Sequence, residues 1–147
     1  MDHEHVIYYI YKDRRASRKE NNMNYEDMLR EFHVAYGLPN NIMVRRPTQS
    51  QSKLRQDLLV EEMIEYLQAE REHKIVDIAD ALADIVYIAI GTAVAYGIPF
   101  DEVFKEVHRS NMSKLDESGL PIYRGDGKVL KGENFTPPNL EDILFKK

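Results

Sequence analysis

From residue 24 to residue 114 the apolar positions recur every three or four residues, the period of helices rather than strands. Residues 24–36, NYEDMLREFHVAY, put Met28, Leu29, Phe32, Ala35 and Tyr36 on one face behind a capping Asn24. Gly37 and Pro39 stop that pattern. Residues 50–73 hold few breakers and space Leu54, Leu58, Leu59, Met63 and Leu67 helically, which predicts a long helix. Residues 76–96 are apolar nearly all round, as expected of a helix buried in a bundle or an oligomer interface. After the break at GIPF, Asp101–Lys114 reads as another helix with Val103, Phe104, Val107 and Met112 as its apolar residues. From Asp116 on, glycines, prolines and turns replace the periodicity. IYRGDGKVL predicts a hairpin around Asp126–Gly127, and Asn139 caps a last helical turn, LEDILF. Ahead of the first helix, Val6–Tyr11 fits a short strand or one helical turn, followed by a solvated linker. The expected fold is an all-α antiparallel helical bundle with a short C-terminal hairpin or flap. It forms a single domain over residues 1–147, with an N-terminal extension at 1–24, a helical core at 25–114 and a flap at 115–147.

Composition narrows the chemistry. The net charge is −5, with no dominant basic stripe, which argues against a grip on a nucleic-acid backbone. The chain has no cysteine, so thiolate nucleophiles, disulfides and Cys-ligated zinc are excluded. A reducing, cytoplasmic setting is the expectation. No apolar run is expected to approach the ~20 residues of a membrane span, and the N-terminus lacks the pattern of a signal peptide.

The acids in the two central helices change the picture most. Glu61, Glu62 and Glu65 lie in LLVEEMIEYLQA, and Asp77, Asp80 and Asp84 in VDIADALADIVYIAIG. At about 100° per residue, Glu62 and Glu65 sit roughly 60° apart and the three aspartates within about 60° of one another. A short connection makes the helices antiparallel neighbours and can bring the two stacks together. Acids in apolar helices repel each other and lose solvation unless a positive charge lies between them. A hard divalent cation shared with phosphate oxygens is a natural occupant, and a solvated acidic face is the plainer alternative. A di-iron bundle needs two Glu-x-x-His pairs, and Glu70–His73 supplies only one. His33 and His108 fit packed or hydrogen-bonded roles better than ligation. No GxxxxGK[ST] loop is present, so a P-loop NTPase is not supported.

These strings, in order, together with FHVAYGLP, VHRSNMSK and GDGKVLKG, resemble the all-α NTP pyrophosphohydrolase superfamily, and more narrowly its MazG-like, phosphoribosyl-ATP pyrophosphohydrolase-like members. The likeness spans residues 25–145. It implies Mg2+- or Mn2+-dependent cleavage of a nucleoside triphosphate between its α- and β-phosphates, releasing the monophosphate and pyrophosphate. It implies Glu62, Glu65 and Asp84 as metal ligands and Glu61 as the acid that orients or activates water. Ala81 stands where the more widespread pattern has Glu, and Asp80 is the expected substitute. Asp77 is then a ligand or an outer neighbour of one.

Asn111 and Lys114 match substrate-facing positions, with a C-terminal helix cap as their alternative reading. Lys128 and Lys131 are further candidates for the triphosphate, and Arg55 for a phosphate or subunit contact. Relatives assemble as homodimers or homotetramers, so a homo-oligomer is expected, with no nucleic-acid or membrane partner. Substrates among such relatives include dUTP and dGTP, and phosphoribosyl-ATP ranks below these because the tail differs. A non-catalytic regulator binding nucleotide or protein is the competing class, with Ala81 as its support.

Overall fold

The computed structural model describes residues 24–146. The expectations for residues 1–23, including the Val6–Tyr11 element, lie outside this range. The described residues form five helices: α1 (Tyr25–Ala35), α2 (Gln49–Glu72), α3 (Ile75–Tyr96), α4 (Phe100–Met112) and α5 (Leu140–Phe145). They group into two compact units that meet in sequence at Gly97 and Ile98, so α4 groups with the tail rather than with the preceding helices.

In the first unit, local chemistry sets each helix end. Asn24 accepts the Asp27 amide at 2.8 Å, and acids follow in the first turn. Thr48 and Gln51 form a reciprocal capping box at the start of α2. His73 closes α2 in the left-handed region (φ 53°), and α3 starts two residues later, which forces the two helices antiparallel. Gly97 closes α3 at φ 67°. The loop after α1 then caps that same end. Asn41 donates from its backbone to Val94 O (3.1 Å) and from its side chain to Ala95 O (2.6 Å), and Arg45 N donates to Tyr96 O (2.9 Å). The Ala95 and Tyr96 carbonyls at the end of α3 are thereby satisfied, and Val94 O gains a second donor beside Gly97 N.

The core is built from Leu29, Ala69, Ala81, Ile90 and the run Ala93–Ala95, with His33 and Ser52 as its polar members. α3 packs against both α1 and α2. Its C-terminal half is buried as expected, but its N-terminal half is not: Ile75 and Val76 are 75% and 76% exposed. α3 is also long and apolar enough to cross a membrane by length and composition, contrary to the expectation that no run reaches that size. Its three aspartates and its packing on two helices are those of a bundle's central helix.

The second unit holds α4, a turn-rich segment and α5. The expected hairpin is reduced to one antiparallel bridge, Tyr123 with Val129, around a turn closed by Gly127 N donating to Arg124 O. The tail is tied to α4 by polar contacts. Ser110 Oγ donates to Thr136 O, Thr136 N to Ser113 Oγ, and Asn139 N to Glu106 Oε1. Arg109 grips both Glu106 oxygens, and these bonds hold the Glu106 carboxyl down to about 2.

Candidate active site

α2 and α3 meet along a seam that steps three and four residues at a time. At one end Ser52 Oγ and Tyr96 Oη share a hydrogen bond of 3.0 Å. One turn on, Arg55 Nε donates to Thr92 Oγ1 (3.0 Å) and Arg55 Nη2 to Ile88 O (2.8 Å). Two turns beyond Arg55 on the same face comes Glu62. The seam of α2 is therefore polar: its buried residues are Ser52 and Ala69. The regularly spaced Leu54, Leu59, Met63 and Leu67 lie on its exposed side.

Glu62 is the centre of the acid cluster. Its Oε2 is buried and has no hydrogen-bond partner. Burial, and then the charges of Asp84, Glu65, Glu61 and Asp80, push its carboxyl above the usual carboxylate range. The two stacks thus face each other across the seam, with Glu62 and Asp84 nearest its interior. Glu61, Glu65 and Asp80 are exposed around them. Glu61 and Glu65 also line an open depression with Asp57, Val60 and Ile64. Asp77 is not among the groups that act on Glu62. It is exposed at the start of α3, 3.9 Å from Lys74 Nζ, which removes it from the cluster's centre.

The register explains the departure at residue 81. Continuing the pairs Ser52–Tyr96, Arg55–Thr92 and Glu62–Asp84 brings Tyr66 level with Ala81. Ala81 is 4% exposed. A glutamate there would be a further buried acid beside Glu62, whereas Asp80 projects toward solvent on the same side.

Among the described residues, no three His, Asp or Glu side chains converge as a finished cation cage. The helices supply donors from two sides rather than a closed shell. The donor set still fits a hard divalent cation. All its atoms are carboxylate oxygens, and one is a buried acceptor with no donor, the kind of group that is costly to leave unpaired.

Arg55 does not serve as a phosphate contact. Its guanidinium turns inward onto α3, as the bonds above show. The buried His33 (1% exposed) behaves as expected of a hydrogen-bonded bundle residue, with Nδ1 2.7 Å from Pro39 O. His108, expected to be packed, is exposed.

Within the second unit Lys114 Nζ donates to Asn111 Oδ1 at 2.7 Å, so these two form one polar group at the end of α4. Lys128 sits in the turn with its amide on Asp126 Oδ1 (3.1 Å). Lys131 Nζ lies 4.3 Å over the Phe135 ring, and a stacked cation of this kind remains available to an anion on its open side.

A model of the phosphoribosyl-ATP pyrophosphohydrolase family matches residues 19–111, which takes in both acid helices. The chain belongs to this family. A second pyrophosphohydrolase-like match is a solved structure from Exiguobacterium sp. 255-15, described as a candidate NTP pyrophosphohydrolase. It shares 23% identity over 82% of this chain and 92% of that chain, with a TM-score of 0.41. That overlap is too loose to bear on how the helices of this pyrophosphohydrolase-family chain are arranged. An uncharacterized protein of Acanthamoeba polyphaga mimivirus is 29% identical over 105 residues, or 69% of this chain. The chain spans about two fifths (39%) of that relative's length.

Proposed function

We propose that the chain is a divalent-cation-dependent nucleoside triphosphate pyrophosphohydrolase. The observation that carries this reading is the buried, unpartnered Glu62 oxygen facing Asp84 among three further acids. Glu62, Glu65, Asp80 and Asp84 would hold Mg2+ or Mn2+ together with phosphate oxygens. A bound cation supplies charge neutralisation for the triphosphate and polarises its phosphoryl oxygens. Glu61 stands on the solvent side of the cluster and takes the proton of the attacking water. The water oxygen bonds to the α-phosphorus, the bond to the bridging oxygen breaks, and pyrophosphate leaves with the electron pair. No covalent nucleophile is required. Lys114, Lys128 and Lys131 of the second unit are point charges of the kind that binds phosphate, and Asn111 is an amide of the kind that binds a sugar or base.

The preferred substrate is a deoxynucleotide such as dUTP or dGTP. Pyrophosphate release is measured across the canonical NTPs and dNTPs, dUTP and phosphoribosyl-ATP, with Mg2+ and then Mn2+. Release from at least one is expected, and silence across the whole panel rejects the enzyme reading in favour of a binding module. The burial of Ala81 weakens the support that a non-catalytic regulator drew from that position.

The working form is a homodimer or homotetramer in the cytoplasm. Val60, Ile64 and Leu67 on α2, and Leu82 and Val86 on α3, are large apolar side chains left exposed, surface that a partner copy would cover. Light scattering at micromolar concentration is expected to give two or four times the 17.2 kDa chain mass. A strictly monomeric mass removes this part of the reading.

A further inference from the structure

The acid cluster poses a mechanical problem. Glu62 and Asp84 face each other although their charges repel, so the helices carrying them must be held in place by something else. Leucines do not do this, since those of α2 lie mostly on its exposed side. The fully buried apolar residues of α2 and of the N-terminal half of α3 are the small Ala69 and Ala81, which define neither rotation nor axial register sharply.

The two directional bonds of Arg55 define both. Nε reaches the Thr92 side chain and Nη2 the Ile88 carbonyl, one helical turn apart on α3. Thr92 Oγ1 in turn donates to Ile88 O at 2.7 Å, which fixes the acceptor's rotamer. The guanidinium reaches this carbonyl only because residue 91 is glycine. A Cβ there would lie 2.6 Å from Arg55 Nη2 and 2.9 Å from His33 Nε2. His33 closes the other side. Its Nδ1 donates to the Pro39 carbonyl, so the neutral ring carries a bare, buried Nε2 with no hydrogen-bond partner, and that atom and Arg55 Nη2 both border the space a Cβ at residue 91 would fill. Arg55 precedes Glu62 by two turns on one face, and Ile88 follows Asp84 by one turn. A shift of α2 on α3 that separated the acids would have to break both Arg55 bonds.

We infer that Arg55, bonded over Gly91 to Thr92 and Ile88, is a positioning residue that sets the register and rotation of α2 on α3, and through them the spacing of Glu62 and Glu65 from Asp80 and Asp84. The inference rests on the proposed cation-binding role of those acids. Arg55 itself touches neither cation nor substrate, and its charge is not among those acting on Glu62.

The test uses the full chain, whose lack of cysteine makes labelling clean. Nitroxides are placed through Gln68→Cys and Ala79→Cys, both exposed and on facing helices near the acid cluster. Distance distributions and Mn2+ binding are read by electron paramagnetic resonance, for the parent and for Arg55→Met, Arg55→Lys and Thr92→Val. Arg55→Met keeps helicity and side-chain length but has no donor. It is expected to broaden the distance distribution and weaken Mn2+ binding about tenfold, the lower end of what loss of a supporting partner costs a metal site. Arg55→Lys retains the charge but not the fork, and is expected to recover only part of both. Thr92→Val removes one acceptor at constant shape and gives a smaller change in the same direction, which keeps the test decisive if Arg55→Met fails to fold. Unchanged distances in folded Arg55→Met and Thr92→Val overturn the positioning role, as does full recovery by lysine. Mn2+ affinity equal to that of a parent that does bind the ion overturns it too. A parent chain that takes up no Mn2+ instead sinks the cation site itself.

Discussion

Replacing Glu62 with Gln is expected to abolish turnover and, without metal, to make the protein more stable. The substitution keeps the side chain's shape while removing a charge that is half-buried and faces Asp84. Its new amide can donate to the neighbouring carboxylates. Pyrophosphate release is expected to fall by at least roughly 100-fold, since loss of even an outer partner costs a metal site 10–100-fold.

The gain in stability follows from proton linkage. The Glu62 carboxyl is raised above its ordinary value, so the folded chain holds that proton more tightly than the unfolded chain. Its stabilising contribution is present below the unfolded value of about 4.5 and is lost as pH rises through the raised one. At neutral pH the ionised group is a net cost. Metal-free Glu62→Gln is therefore expected to melt a few degrees higher than the parent at pH 7 and to lose that advantage toward pH 4. Mn2+ is expected to raise the parent's melting temperature by mass action and leave the variant's unchanged. Unaltered turnover, or a metal-free variant that melts lower at pH 7, contradicts the role given to this residue. The trade is the usual one at a working site, where groups placed for chemistry are poorly placed for stability.

The second large effect is expected at Gly97, far from the acids. Gly97→Ala puts a Cβ into the left-handed region and 2.1 Å from the Met43 carbonyl oxygen, which is backbone and cannot swing aside. Relief requires moving the loop that caps α3 through Asn41 and Arg45. Left-handed strain of about 1–2 kcal/mol adds to the loss of capping bonds at about 1 kcal/mol each. A total destabilisation of roughly 3 kcal/mol is expected from urea denaturation. Gly119→Ala is the control. It has a comparable φ of 74° with nothing within 4 Å, so it carries the strain alone. Equal losses at the two positions would show that the contact with Met43 does not matter.

The chain's own pattern determined a good deal. Helix positions followed from apolar periodicity, and helix ends from Asn24, Gly37, Gly97 and Asn139, because capping and backbone preference act within a few residues. The grouping of Glu61, Glu62 and Glu65, and of Asp80 with Asp84, was equally legible, since helical phase is a local property. Three matters were decided only by tertiary packing. Leucine spacing on α2 gave no hint that its inward face would be Ser52, Arg55, Glu62 and Ala69. That choice depends on small residues of another helix, Ala81 and Gly91 above all, which let a polar seam approach closely enough to bond. Asp77 shares a helix face with Asp80 and Asp84, yet lies apart from Glu62, because α2 runs antiparallel and the facing pairs fall further along α3. Arg55, read from sequence as a candidate phosphate or subunit contact, is turned inward onto Thr92 and Ile88 in the space left by a glycine distant in the chain. Periodicity says which residues share a face; what that face meets is set by the shape and donors of its neighbour.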